Sequence, residues 1–329
     1  MALSNIIVDV NQAKELINQG KLLVIAGDHQ LLKNLPKGNW IGGSIPYFMT
    51  PEGGRHINDK LLITDFSDYV KKFTIKEYKE NQISEIPDNY PEHGFNYILI
   101  PGMSDTLKTF AYKTESEFKF FYSPLTGWVT GTSLDKINDK FPIIVNGQTL
   151  ETSDDAAIVI HAELPEYLEA KIDIVNIFEQ GDGDLIFFDN DRFEIYECYI
   201  NGERRIFADY LRENNIDFSH PLVANYNGIP INVSIKSSTD IFVETFAPVR
   251  RGVKYKFAKR LENYEHEFSL KIPEYQQDVV STCNCIYNYI FGKLENKKLP
   301  YTGPFTFGEI AYILLNQTMV TLKITEKNK

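Results

Sequence analysis

Cysteine is scarce in this chain. There are three in 329 residues, Cys198, Cys283 and Cys285. A count that low and odd excludes a disulfide framework. On a strand, Cys283 and Cys285 would share a face with α-carbons roughly 6.5 Å apart, near the upper limit for a bridge. All three are expected as reduced, buried thiols. No apolar stretch approaches the ~20 residues that a membrane helix needs, and no basic start leads into an apolar run at the N-terminus. Positive charge is in deficit, with 34 Lys and Arg against 45 Asp and Glu and a net charge of −11. Such a surface repels a phosphate backbone. The basic pairs Arg204-Arg205 and Arg250-Arg251 are too short to outweigh it. These absences predict a cytoplasmic protein with neither nucleic acid nor a membrane as partner.

The usual chemical signatures are missing too. The six histidines are scattered singly, with no pair at metal-ligand spacing. His161 and Glu163 have the His-x-Glu form of zinc deaminases, but that chemistry also needs a Pro-Cys-x-x-Cys element. The Cys283-Asn284-Cys285 segment has the wrong spacing, and on a strand His161 and Glu163 would form a paired or solvated couple. Gly181-x-Gly183 lacks the third glycine of a dinucleotide fingerprint, and there is no Walker loop. No cofactor and no metal is therefore expected. The nearest approach to a nucleophile elbow is Gly42-Gly43-Ser44, but Pro46 stands where the closing glycine belongs.

What is present is an ordinary globular composition, 43% hydrophobic and 24% charged, with 22 Phe and 19 Tyr. Aromatic side chains suit pleated, half-buried surfaces, so strands should dominate. Helical spacing marks residues 10–17 and 104–112, and 205–211 after Asn201-Gly202. Short apolar runs predict strands at 22–26, 61–64, 97–100, 118–122, 128–130, 156–162, 231–235, 241–246, 253–257 and 268–272. Residues 279–291 fit helix or strand equally. Asn146-Gly147 between two short runs predicts a hairpin with a tight turn. No repeat of fixed period is visible. The expected fold is α+β, with mixed or largely antiparallel sheets flanked by helices. It is divided into a 1–150 half and a 151–329 half at the polar break between Lys140 and Asp155.

The C-terminal half carries a resemblance. Phe193 to Leu211, the segment Ala247-Pro248-Val249-Arg250-Arg251-Gly252-Val253, and Ser281-Thr282-Cys283 resemble stretches of FIST domains. The most specific block is Gly303-Pro304-Phe305-Thr306-Phe307-Gly308-Glu309-Ile310 followed by Asn316-Gln317-Thr318. It is similar to the Gly-Phe-x-Thr-x-Gly-Glu-Ile block and Asn-Gln-Thr of that family. The resemblance spans about residues 188–324. It implies a stand-alone sensory module that binds a small ligand such as an amino acid, with a signalling protein or a second copy as possible partner.

Two segments are candidates for the ligand site, which is expected where the two halves meet. Trp40, Gly42, Gly43, Ser44 and Tyr47 offer close backbone approach between aromatic walls. Thr306, Glu309 and Asn316 offer a hydroxyl, a carboxylate and an amide. A non-catalytic small-ligand binder is the leading expectation. A hydrolase or lyase using Gly42-Gly43-Ser44 with an acidic partner is the alternative, and a purely structural scaffold is the third class.

Overall fold

The computed structural model describes residues 5–137, 139–226, 229–272 and 278–327. The fold is α+β, with mixed and antiparallel sheets and short helices. The chain divides into two compact units that are not consecutive halves. Unit 1 comprises Met1–Val175, Ile272–Leu314 and Met319–Lys329; unit 2 comprises Asn176–Lys271 and Leu315–Thr318. Residue 150 lies inside unit 1, in the turn between the paired strands Ile144–Asn146 and Thr152–Ser153.

Unit 1 is one motif used three times. In the first copy a strand, Asn5–Val8, is followed by the helix Val10–Asn18, the strand Leu23–Gly27, the helix His29–Lys33 and the strand Trp40–Ser44. A hairpin follows, Tyr47–Thr50 with Gly53–His56, and then the strand Leu61–Asp65. Leu23–Gly27 and Trp40–Ser44 run parallel, and every other pairing is antiparallel. The second copy repeats the order with Lys72–Lys79, Gly94–Pro101, the helix Asp105–Ser116, Leu125–Thr130 and Ala156–Glu163. The third uses Leu168–Val175, Val279–Cys285, the helix Ile286–Phe291, Gly303–Thr306 and Met319–Glu326. Unit 2 is inserted in the third copy, where the first has its leading helix.

The hairpins are exchanged in a ring. The first copy's hairpin completes the third copy's sheet through pairing of Phe48 with Pro304. The second copy's hairpin, starting at Ile144, pairs with Trp40–Ser44 of the first. The third copy's, starting at Glu309–Ala311, pairs with Leu125–Thr130 of the second. The parallel register makes Ser44, Thr130 and Thr306 equivalent, because each faces the last residue of the preceding parallel strand, Gly27, Pro101 and Cys285. All three are buried. The next residues, Ile45, Gly131 and Phe307, meet: a Cβ on Gly131 would overlap the Phe307 ring and come within 2.8 Å of Ile45 Cδ1. The convergence point is therefore close-packed.

Local chemistry explains the elements. Asp9 caps the first helix, accepting from Asn11 and Gln12 amides, while the Gln12 side chain reaches back to the Asp9 amide. That helix buries Ala13 and Ile17 against Leu23, Ile25, Trp40 and Val145. Unit 2 has a six-stranded antiparallel sheet in the order Glu203–Ile206, Glu197–Ile200, Ile186–Phe187, Tyr255–Phe257, Leu222–Tyr226, Ile229–Val233. A three-stranded sheet and the helix Phe207–Glu213 share its core of Ile186, Cys198, Phe207, Leu222 and Tyr255.

Several expectations need correction. Residues 118–122 are not a strand; Phe118–Phe121 is a 3₁₀ turn, in which Phe120 is buried while Phe118 and Tyr122 are exposed. Residues 268–271 are the end of the helix Tyr264–Lys271, which buries Phe268 alone, and Ile272 follows it; an isolated aromatic has no period to read. The ambiguous 279–291 stretch is a strand followed by a helix. The Asn146-Gly147 turn is wider than expected. Asn146 bonds to Glu151 and Leu150, and the Gly147 amide donates to Trp40 O, so Gly147 serves the neighbouring strand. The three cysteines are free and buried, as expected.

Candidate functional site

The sequence-selected residues have scattered roles. Trp40 is fully buried, and its Nε1 donates to Pro36 O at 2.9 Å. Gly42 and Gly43 lie mid-sheet, with Gly43 against the Trp128 ring. The Thr306 hydroxyl lies 3.0 Å from Gly308 O and 3.2 Å from Asn284 O. Glu309 is fully buried beside Cys283. Burial first, and the Glu309 charge second, push the Cys283 thiol well above the usual range. Asn316 belongs to unit 2, where Asn232 donates to its carbonyl and Gln317 is held by Ser234 and Ser219. The Asn-Gln-Thr block thus braces unit 2.

Ser44 does something specific. Between Thr130 and the exchanged hairpin, the second copy has a long connection, residues 131–143. Ser44 holds both ends of it. Its hydroxyl donates to Gly131 O at 2.8 Å and accepts from Ile143 N at 2.9 Å. Its backbone accepts from Gly131 N at 2.7 Å and donates to Ile143 O at 3.0 Å. Tyr47 and His56 secure the loop further. Their rings stack at 4.6 Å, the Tyr47 hydroxyl accepts from Leu134 N at 3.1 Å, and His56 Nε2 lies 2.9 Å from Ser133 Oγ. Ser44→Ala removes a partner from two buried backbone groups, which is expected to cost about 1–3 kcal/mol. Chemical denaturation of the variant checks this; a change below 0.5 kcal/mol, within the range of a neutral surface substitution, would count against the clamp.

The clamped loop borders a small, part-open cleft with water-accessible room of about 10 Å³, enough for about one water molecule. Its lining includes Gly27, Asp28 and His29 at the end of the first parallel strand, Ser44 to Pro46 at the end of the second, and Gly131 to Ser133, Lys140 and Phe141 of the loop. Carboxyl ends of parallel strands are where open α/β sheets bind ligands. Of the eight sequence-selected residues only Ser44 lines this cleft. His29 Nε2 is sealed from solvent here and has no hydrogen-bond partner among the described residues. Burial lowers the His29 pKa, Lys33 and Lys140 lower it further, and Asp28 opposes them. His29 and Lys140 were missed because neither sits in a motif. Only the topology brings positions 29, 44 and 140 together.

His161 proves to be a core residue. Asn96 donates its amide hydrogens to Ser123 Oγ and Pro124 O, so Asn96 Oδ1 accepts from His161 Nδ1 at 2.6 Å. That leaves Nε2 to accept from the Tyr78 hydroxyl at 2.7 Å. Glu163 does not join it but pairs with Lys71 at 2.9 Å. Among the described residues no group of three or more His, Cys, Asp or Glu side chains is placed to hold a metal. None of the described helices is long and apolar enough to cross a membrane.

The chain belongs to the family of unknown function DUF6976. That family's model matches residues 8–325, so it takes in the threefold unit and its insertion together. No curated protein matches the chain.

Proposed function

We propose that this DUF6976 member is a non-catalytic binding module for a small polar metabolite, one polar group of which enters the water-sized cleft beside residues 131–143. The observation that carries the reading is His29 Nε2, a sealed polar atom without a described partner in that cleft. A buried polar group of this kind calls for a partner. A non-catalytic role is favoured over hydrolysis by Ser44 itself. Its hydroxyl is occupied by two backbone partners, and neither is a base able to take its proton. The reading rests on the cleft; the family match adds nothing to the FIST resemblance.

A thermal-shift panel of neutral, anionic and cationic metabolites tests it. A ligand that binds only the folded chain at a hundredfold its Kd adds about 2.7 kcal/mol of stability. The expected outcome is a concentration-dependent rise in Tm that is lost in His29→Ala. Turnover of an ester or amide library by the wild-type chain, abolished in Ser44→Ala, would replace binding with catalysis.

A further inference from the structure

We infer that unit 2 carries a self-association surface, a groove that receives Ile241 of a second copy of this chain across a twofold axis. The inference is independent of the cleft, whose lining residues all belong to unit 1. One wall of the groove is the helix Phe207–Glu213 with the segment after it. The other is the turn that joins Ile235–Ser238 to Val243–Val249. The water-accessible room between them is about 560 Å³, within the usual range of binding sites. Leu211, Ile216 and Phe218 give it an apolar floor, and Arg212, Thr239 and Asp240 give it a polar rim.

The turn holds an apolar knob beside that groove. Thr239 N donates to Phe242 O at 2.9 Å, and the Thr239 hydroxyl accepts from Ile241 N at 3.2 Å and Phe242 N at 3.0 Å. So fixed, the turn leaves Ile241 67% exposed, immediately after the lining residue Asp240. The apolar surface continues past it. The Phe242 ring lies 5.7 Å from that of Tyr196, and Tyr196 and Ile206 are exposed as well. A knob and a groove on one face are what an isologous dimer needs, since each copy then offers both.

Charge favours a second copy as the occupant. The chain carries −11, so two copies repel each other except where the surface is locally balanced. The charged residues that line the groove are one Arg212 and one Asp240. Within one chain their contact is loose, at 3.5 Å, while Asp209 holds Arg212 at 2.6 Å and the Asp240 side chain is 99% exposed. A twofold axis beside the turn sets each Asp240 against the Arg212 of the other copy, two equal pairs flanking the two Ile241 side chains. A strongly basic or acidic foreign segment finds no net charge to match on this rim.

The test is sedimentation equilibrium of the full chain from about 1 μM to about 1 mM, the range of weak association. The expected result is a reversible monomer–dimer equilibrium. Ile241→Asp should weaken it about tenfold or more, the loss of a central apolar anchor. Asp240→Arg and Arg212→Glu should each weaken it too, because each sets like charges against one another across the axis. Mixing these two variants in equal amounts restores unlike charges at both contacts and should recover the dimer, which misfolding of either variant cannot do. A chain that is monomeric throughout the range would overturn the inference and leave the groove to a foreign segment or a small ligand. A dimer unaffected by Ile241→Asp, or no recovery on mixing two charge variants that circular dichroism shows to be folded, would overturn it as well.

Discussion

Acidification from pH 7 to pH 4 should strip about 3 kcal/mol from the stability of the chain through His161 alone. Burial first, and the Lys76 charge second, lower the His161 pKa from 6.5 to about 4. The residue is 4% exposed, so solvent screens little of this. The folded chain favours the neutral ring, whose Nε2 accepts from Tyr78, while the unfolded chain binds the proton more readily. The stability is therefore complete above about pH 6.5 and is lost as pH falls toward 4, at about 1.4 kcal/mol per pH unit within that window. Urea denaturation at half-unit steps from pH 7 to pH 4 measures the slope. The His161→Gln variant starts lower, because the pairings with Tyr78 and Asn96 change, but its profile should be flatter over the same range. Parallel profiles for the two proteins would show that His161 is not the titrating group.

Gly131→Ala, at the point where the three copies converge, should cost about 1–3 kcal/mol for overpacking. The added methyl has no room between Phe307 and Ile45. The effect should be coupled to Phe307. Phe307→Ala leaves a cavity and is costly by itself, yet it removes the ring that Gly131 must accommodate. In a double-mutant cycle the pair should fall short of additivity by about 1 kcal/mol or more. Strict additivity would mean that residues 131 and 307 do not meet, and the convergence of the three copies would be wrong.

Much of the fold was legible in the sequence. Residues 10–17, 22–26, 97–100 and 156–162 showed their elements through apolar spacing, and Ser104 announced the helix that it caps by accepting from Leu107 N. The threefold repetition was not legible. Its copies begin at Asn5, Lys72 and Leu168, and the third is interrupted by residues 176–271, so no period survives. The equivalent positions Ser44, Thr130 and Thr306 share only a hydroxyl. Even so, the segments chosen around Ser44 and around Thr306 are the same place in two copies. What drew attention was small and polar residues at the ends of buried strands, a requirement of the motif's own packing. The cleft escaped notice because its distinguishing residues sit in the remaining copy, in a loop with no pattern of its own, and reach His29 only through the exchanged hairpins.

Amide hydrogen exchange with and without a saturating ligand from the thermal-shift panel tests the account most directly. The account predicts added protection in residues 27–29, 44–46 and 131–143, and none at the equivalent strand ends 101–104 and 285–287. Protection at those equivalent ends instead, or no change at 131–143 despite measurable binding, would contradict it.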